Sequence, residues 1–247
     1  MKRLWNLLIS LEAGLVLLAL VCIAMAAGSF GLKGDVATAI NSMPLFAWLA
    51  EFSLATTWWL WLTLVFLALL VLNTLCCSAD TVFQRFSRNA VLAWLPSQLI
   101  HAGFLLIVLA HLQSALWGFK GTIEIPEGAG FQLPDGVAVQ VARIGAIFSP
   151  MGGDMPLGFK ALLVSAGTAG QGGVTISPNH PWFSNGYGVY IKHAEPGQPP
   201  VALLEVHREP GAAMALAGAV LFTIGNLLLL YTRSRARELP LEVDGIL

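Results

Sequence analysis

Charge is scarce in this chain. Only 11% of its 247 residues are Asp, Glu, Lys or Arg, against roughly 25% in a soluble domain. Cysteine is scarcer still, with three residues, Cys22, Cys76 and Cys77. Cys22 lies inside an apolar run and the other two close a second one, so no disulfide framework is implied. The sequence has no C-x-x-C and no C-x-x-C-H. That excludes a dithiol oxidoreductase of that type, and it excludes a c-type cytochrome. A net charge of −1 gives no electrostatic reason for a nucleic-acid partner.

What is abundant is apolar residues, at 56%. Four long runs stand out, about 11–30, 56–75, 96–117 and 212–231. Each is close to the ~20 residues that cross a bilayer as a helix. "MKR" followed by "GLVLLALVCIAMAAG" has the form of a secretory signal with an "AMA" cleavage site, and we read it as an uncleaved first span. Lys2 and Arg3, Arg85 and Arg88, and Arg233, Arg235 and Arg237 fall in three short segments on one side, seven of the thirteen basic residues. The positive-inside rule then predicts both termini in the cytoplasm.

Between the third and fourth spans lies a stretch that alternates apolar and polar residues: "GTIEIPEG", "GVAVQVARI", "KALLVS", "GGVTISP", "GYGVYIKHA" and "VALLEVHRE". Gly, Pro and Asp-Gly breaks separate these runs, which predicts short antiparallel strands. The expected architecture is four transmembrane α-helices with a small extracytoplasmic antiparallel β domain, a sandwich or partial barrel, between helices three and four. The predicted bounds are 1–117 for three spans, 118–211 for the β domain, 212–232 for the fourth helix and 233–247 for a cytoplasmic tail.

Two imidazoles, His101 and His111, lie in span three. Ten residues apart on a helix, they are separated by about 15 Å along the axis and about 80° around it. They cannot share a ligand, and each could serve a different one. An intramembrane histidine is a functional candidate by default, and imidazole is a good axial ligand for haem iron. The structural alternative is a helix–helix hydrogen bond to Ser, Thr or Asn. A zinc or copper ion would want more ligands than the spans offer. Glu12, the one carboxylate in a span, reads as a side chain snorkelling to the headgroups; the alternative is a partner for His101. Trp58, Trp59 and Trp61 read as interfacial anchors, with a platform for a porphyrin edge as the sharper option. Cys76 and Cys77 read as small hydrophobes. In the β region, His180 belongs to an Asn-His-Pro turn, His193 lies further along the same segment, and His207 sits just before span four. That place suits a ligand to something held at the membrane surface.

The order of these segments resembles a known family. "LISLEAGLVLLALVCIAMAAGSF", "LLVLNTLCC", "LIHAGFLLIVLAH", "LWGFKGTIEIPEG", "ISPNHPWFSNGYGVYI" and "HREPGAAMALAGAVLFTIGNLLLLYTR" follow one another as in the ResB/CcsB family of cytochrome c biogenesis proteins (system II), in a short form. The resemblance implies a protein of the bacterial cytoplasmic membrane that carries no catalytic residue of its own. It would work with a CcsA/ResC-type membrane protein, which bears the tryptophan-rich haem-handling segment absent here. Together they would carry haem b across the membrane and promote its attachment to an apocytochrome c with C-x-x-C-H. A thioredoxin-like thiol reductase is a further implied partner. The resemblance places His101 as an axial ligand of the haem iron. If haem is passed outward in this way, the place of His207 at the membrane surface makes it a second haem contact where haem emerges, while His111 has no equally good family counterpart. Glu12 stands where the family pattern leads us to expect a basic residue. The competing readings are a haem b subunit of a membrane quinone oxidoreductase, with His101 and His111 each ligating one haem, and a non-catalytic scaffold whose β domain docks another protein.

Overall fold

The computed structural model describes residues 2–85, 91–148, 156–165, 173–195 and 197–238; Arg88, Gly172 and the tail from 239 onward lie outside them. Seven helices and eight strands are present among the described residues: α1 (Lys2–Leu8), α2 (Leu11–Gly31), α3 (Gly34–Ser42), α4 (Leu45–Glu51), α5 (Leu54–Arg85), α6 (Val91–Trp117), β1 (Phe119–Pro126), β2 (Gly130–Gln132), β3 (Ala138–Phe148), β4 (Pro156–Ser165), β5 (Val174–Ile176), β6 (Trp182–Ser184), β7 (Tyr187–Glu195), β8 (Val201–Arg208) and α7 (Ala212–Glu238). They divide into a helical unit, residues 1–36, 49–112 and 211–247, and a β unit, residues 37–48 and 113–210.

Four helices, α2, α5, α6 and α7, are long and apolar enough to cross a membrane, which makes this a multi-pass membrane protein. Three of them are longer than the sequence predicts. α7 continues to Glu238, so the first residues expected as a tail, 233–238, are helical. The second run continues past Leu75 through "CCSADTVFQR" as one helix to Arg85. The third begins at Val91 and not at Pro96, which lies inside it. Proline ends a helical pattern on paper because it lacks an N–H. This early in α6 it removes one hydrogen bond and the helix continues. The segment 31–55, between the first two apolar runs, contains α3 and α4.

In the helical unit α2 and α5 run antiparallel. Gly28 faces the Trp59 ring so closely that a Cβ would lie 2.0 Å from it, and Gly14 faces Asn73. Trp59 is accordingly buried, while Trp58 and Trp61 remain about half exposed. The chain breaks between α1 and α2, where Ser10 caps α2 by accepting from the Ala13 N–H at 3.4 Å. Asn73 of α5 spans that break, its Nδ2 donating to the carbonyls of Leu8 at 2.7 Å and Ser10 at 3.1 Å. A buried amide thus replaces the hydrogen bonds that a helix interruption loses in lipid. Cys77 packs beside the same Leu8 carbonyl.

α6 and α7 also run antiparallel, on a seam of small residues. Gly103 lies against Gly218 and Phe222, and Gly225 lies against Pro96 and Ile100. Glycine at these positions lets two backbones approach within contact distance, which is how helices associate where apolar burial supplies no net drive.

The β unit is a sandwich. One sheet has the order β1-β8-β7-β6 and the other β2-β3-β4-β5, every pair antiparallel. The inner faces supply one core: Ile125, Val189, Ile191, Leu204 and Val206 from the first sheet, Val139, Val141, Leu163 and Ile176 from the second. Asn185 (φ 47°) and Gly186 (φ 82°) form the two-residue turn between β6 and β7, the positive-φ pair that such a hairpin requires. The Asn185 amide donates to Asp135 at 2.9 Å, tying this turn to the β2–β3 turn of the other sheet. The three-residue strands β2 and β6 are too short to show an alternation in sequence, although β5, equally short, falls within the predicted run "GGVTISP".

Candidate functional site

His101 stands on α6 and its ring meets α5. Nδ1 lies 2.9 Å from the Ser78 hydroxyl, its one hydrogen-bond partner among the described residues. In the tautomer with the proton on Nδ1, the ring donates to Ser78 Oγ and Nε2 carries an unspent lone pair. A metal-ligating histidine has this arrangement: one nitrogen held by a neighbour, the ring orientation fixed, the other nitrogen free to bind. Glu12 does not fill the partner role considered for it. It is exposed, in the first turn of α2, where a carboxylate suits the helix dipole. His111 is exposed, and among the described residues it has no hydrogen-bond partner, so the helix–helix bond considered for it is not made there.

Two further groups lie on the His101 side of α6. Trp94 Nε1 and Gln98 Nε2 are buried N–H donors with no hydrogen-bond partner among the described residues. A buried unpaired donor costs about 1–3 kcal/mol, so two of them one turn apart are unlike ordinary helix packing. On a helix with ~100° per residue, Trp94, Gln98 and His101 fall within an arc of about 60°. The residues that meet α7, Pro96, Ile100, Gly103 and Ile107, fall on the opposite side. Neither donor stands out in the sequence: Trp94 precedes the expected start of the span, and a lone Gln in an apolar helix carries no signal by itself.

No three of His, Cys, Asp and Glu are grouped as a metal ion would require among the described residues. The helical unit therefore offers a single oriented imidazole with two unpaired N–H donors beside it. That set suits a group that brings most of its own coordination, as haem does, and it does not suit a bare zinc or copper ion.

His207 is placed differently. On β8, Ala202, Leu204 and Val206 point into the sandwich, so Glu205 and His207 share the other face. His207 Nε2 donates to Glu205 Oε1, which leaves only Nδ1 for any ligand. The Lys192 ammonium lies 3.0 Å and the Lys120 ammonium 3.6 Å from the same carboxylate. The Tyr190 ring packs beside His207 at 5.3 Å, over the space left by Gly188 opposite it. Glu205 is thus the hub of a surface network, and His207 is one of its donors. His180 is exposed, in a turn closed by reciprocal backbone bonds with Ser177, and His193 packs edge-on against Phe159.

Burial alone would raise the Glu205 pKa. The hydrogen bonds and charges of Lys192 and His207 outweigh it and hold the carboxyl below its ordinary range. A group whose pKa falls on folding stabilises the fold fully above its unfolded value, about 4.3, and that contribution is lost as pH falls through the folded value. The difference in unfolding midpoint between wild type and Glu205→Gln is therefore expected to shrink as pH falls from about 5 through about 4.3 and below. A difference that does not change across that range would show that the carboxylate charge contributes nothing.

No protein-family model matches the sequence, and no curated protein does. Among solved structures, one described as "Cytochrome c Heme Lyase CcmF" is similar at 16% sequence identity and a TM-score of 0.46; the match covers 85% of this chain and 38% of that one. The chain thus spans well under half the length of that structure.

Proposed function

We propose that the chain is a haem-handling membrane subunit in cytochrome c biogenesis, with His101 as an axial ligand. The observation that carries this reading is the His101 ring, fixed through Nδ1 by Ser78 and open at Nε2 within an apolar helix. The ordered segments that resemble ResB/CcsB support the same conclusion. Haem b supplies an iron that accepts an imidazole nitrogen. Ser78 holds the tautomer and the ring direction, and the spans around His101 keep water from competing for the iron. Because one imidazole leaves the other axial position to another molecule, a CcsA/ResC-type membrane protein is the fitting partner, and apocytochrome c with C-x-x-C-H is the acceptor. A thioredoxin-like reductase would keep the acceptor thiols reduced. The basic residues put both termini on the cytoplasmic side of a bacterial inner membrane and the β unit in the periplasm. His207, committed to Glu205, serves the β unit's surface network, and the axial role falls to His101 alone. The quinone oxidoreductase reading would need a second imidazole for each haem, and the other three spans contain none.

Optical spectra test this. The chain purified with its CcsA/ResC-type partner is expected to show one b-type Soret band. Two haems on this chain alone would restore the quinone reading, and no haem in either preparation would leave a scaffold.

A further inference from the structure

The unpaired donors of α6 flank His101, and the inference they support rests on the haem reading above. We propose that Trp94 Nε1 and Gln98 Nε2 hold the haem carboxylates, so that α6 alone presents both the iron ligand and the anchor for the acidic edge of the porphyrin.

Both atoms are buried and unpartnered, and the helix geometry says what could reach them. α7 cannot, because it packs on the far side of α6 through Pro96, Ile100, Gly103 and Ile107. His101 lies in their arc and points at α5 through Ser78. Measured along the axis, Gln98 is about 4.5 Å and Trp94 about 10.5 Å from His101, toward the N-terminal end of α6. A ligand that bonds His101 Nε2 and lies along this face needs acceptors on that side and at that spread. A dicarboxylate tetrapyrrole has them on one edge. Two neutral N–H donors suit carboxylates in an apolar helix: each forms a charge-assisted hydrogen bond without placing a second ion in lipid. The porphyrin is then oriented, its carboxylate edge toward the start of α6 and its apolar edge toward the middle of the span. A partner helix offering backbone carbonyls would also satisfy the two donors, and the experiment separates the two occupants.

The test is a Soret titration of the full chain, in detergent or nanodiscs, with iron protoporphyrin IX and with its dimethyl ester, whose carboxylates are blocked. Wild type is expected to bind the ester about tenfold more weakly than the free acid. The double variant Trp94→Phe, Gln98→Leu is expected to bind the free acid about tenfold more weakly than wild type, with the gap between acid and ester closed and the His-ligated band position unchanged. Equal binding of acid and ester by wild type overturns the assignment, as does a variant that weakens both ligands alike, which is what donors serving only a partner helix or packing would give. Should the variant not accumulate, the acid-to-ester comparison on wild-type protein decides by itself. A His101-dependent Soret band with no acid-to-ester difference removes only the carboxylate anchor. No His101-dependent band with either compound removes the haem reading and this inference with it.

Discussion

Holocytochrome c yield, normalised to the amount of the protein in the membrane, is expected to collapse in His101→Gln although the chain still inserts. Glutamine can keep a hydrogen bond to Ser78, so a purely structural His101 would tolerate it. What glutamine cannot supply is a nitrogen lone pair for iron. His101→Gly is expected to recover part of the yield when imidazole is added, because the free base can occupy the vacated position. Ser78→Ala is the graded member of the series. It removes the group that orients the ring and leaves the ligand, and a loss of about tenfold in haem affinity is expected. Near-normal yield from His101→Gln would return the histidine to ordinary helix packing and end the axial-ligand reading. A normal Ser78→Ala affinity would end only the orienting role of the hydroxyl.

The second large effect concerns the seam between α6 and α7. A Cβ on Gly103 would sit 2.5 Å from the Phe222 backbone nitrogen and 2.6 Å from the Gly218 carbonyl oxygen. Those atoms are backbone, so no rotamer change relieves the contact, and the two axes must move apart along the whole seam. Overpacking costs about 1–3 kcal/mol even where side chains can yield. Gly103→Ala is therefore expected at or above the top of that range, read as a lower midpoint when the detergent-solubilised protein is unfolded in SDS. Gly218→Ala should do the same, and the double variant should cost less than the sum, because one separation relieves both clashes. Gly31→Ala is the control: a Cβ there meets nothing within 4 Å, and no loss is expected. Wild-type stability for Gly103→Ala would show that the helices are not packed this closely.

Much of this organisation is legible in the amino-acid sequence. Four apolar runs of the right length announce the spans, and alternation announces the longer strands, because both follow from local periodicity. His101 is legible because an imidazole in lipid is conspicuous. Its partner is not. Ser78 lies three residues beyond the expected end of span two, where the run turns polar, and a serine in an expected loop invites no attention. Trp94 is hidden for the mirror-image reason, since Pro96 looks like the start of span three. In both places the helix outlasts its apolar stretch, and the residues that complete the site lie in the extra turns. His207 looks available because sequence places it beside a span but says nothing of the carboxylate two residues away on the same strand face. That pairing needs the strand's alternation and the lysines from β1 and β7 together.

β1 is an edge strand whose one partner is β8, and this sets a clock on synthesis. At ~5–20 residues per second, roughly ten seconds separate the emergence of β1 from that of β8. In that interval both edges of β1 are open to any other extended chain. It carries Lys120, Glu124 and Pro126, the kinds of residue that discourage such pairing. α7 is made after β8, so the glycine seam on α6 faces lipid until the last span arrives. α5 precedes α6, so the contact between Ser78 and His101 can form as soon as α6 inserts. The first tertiary bond made by the third span is thus the one at the candidate site, and the seam on its other side is the last to close.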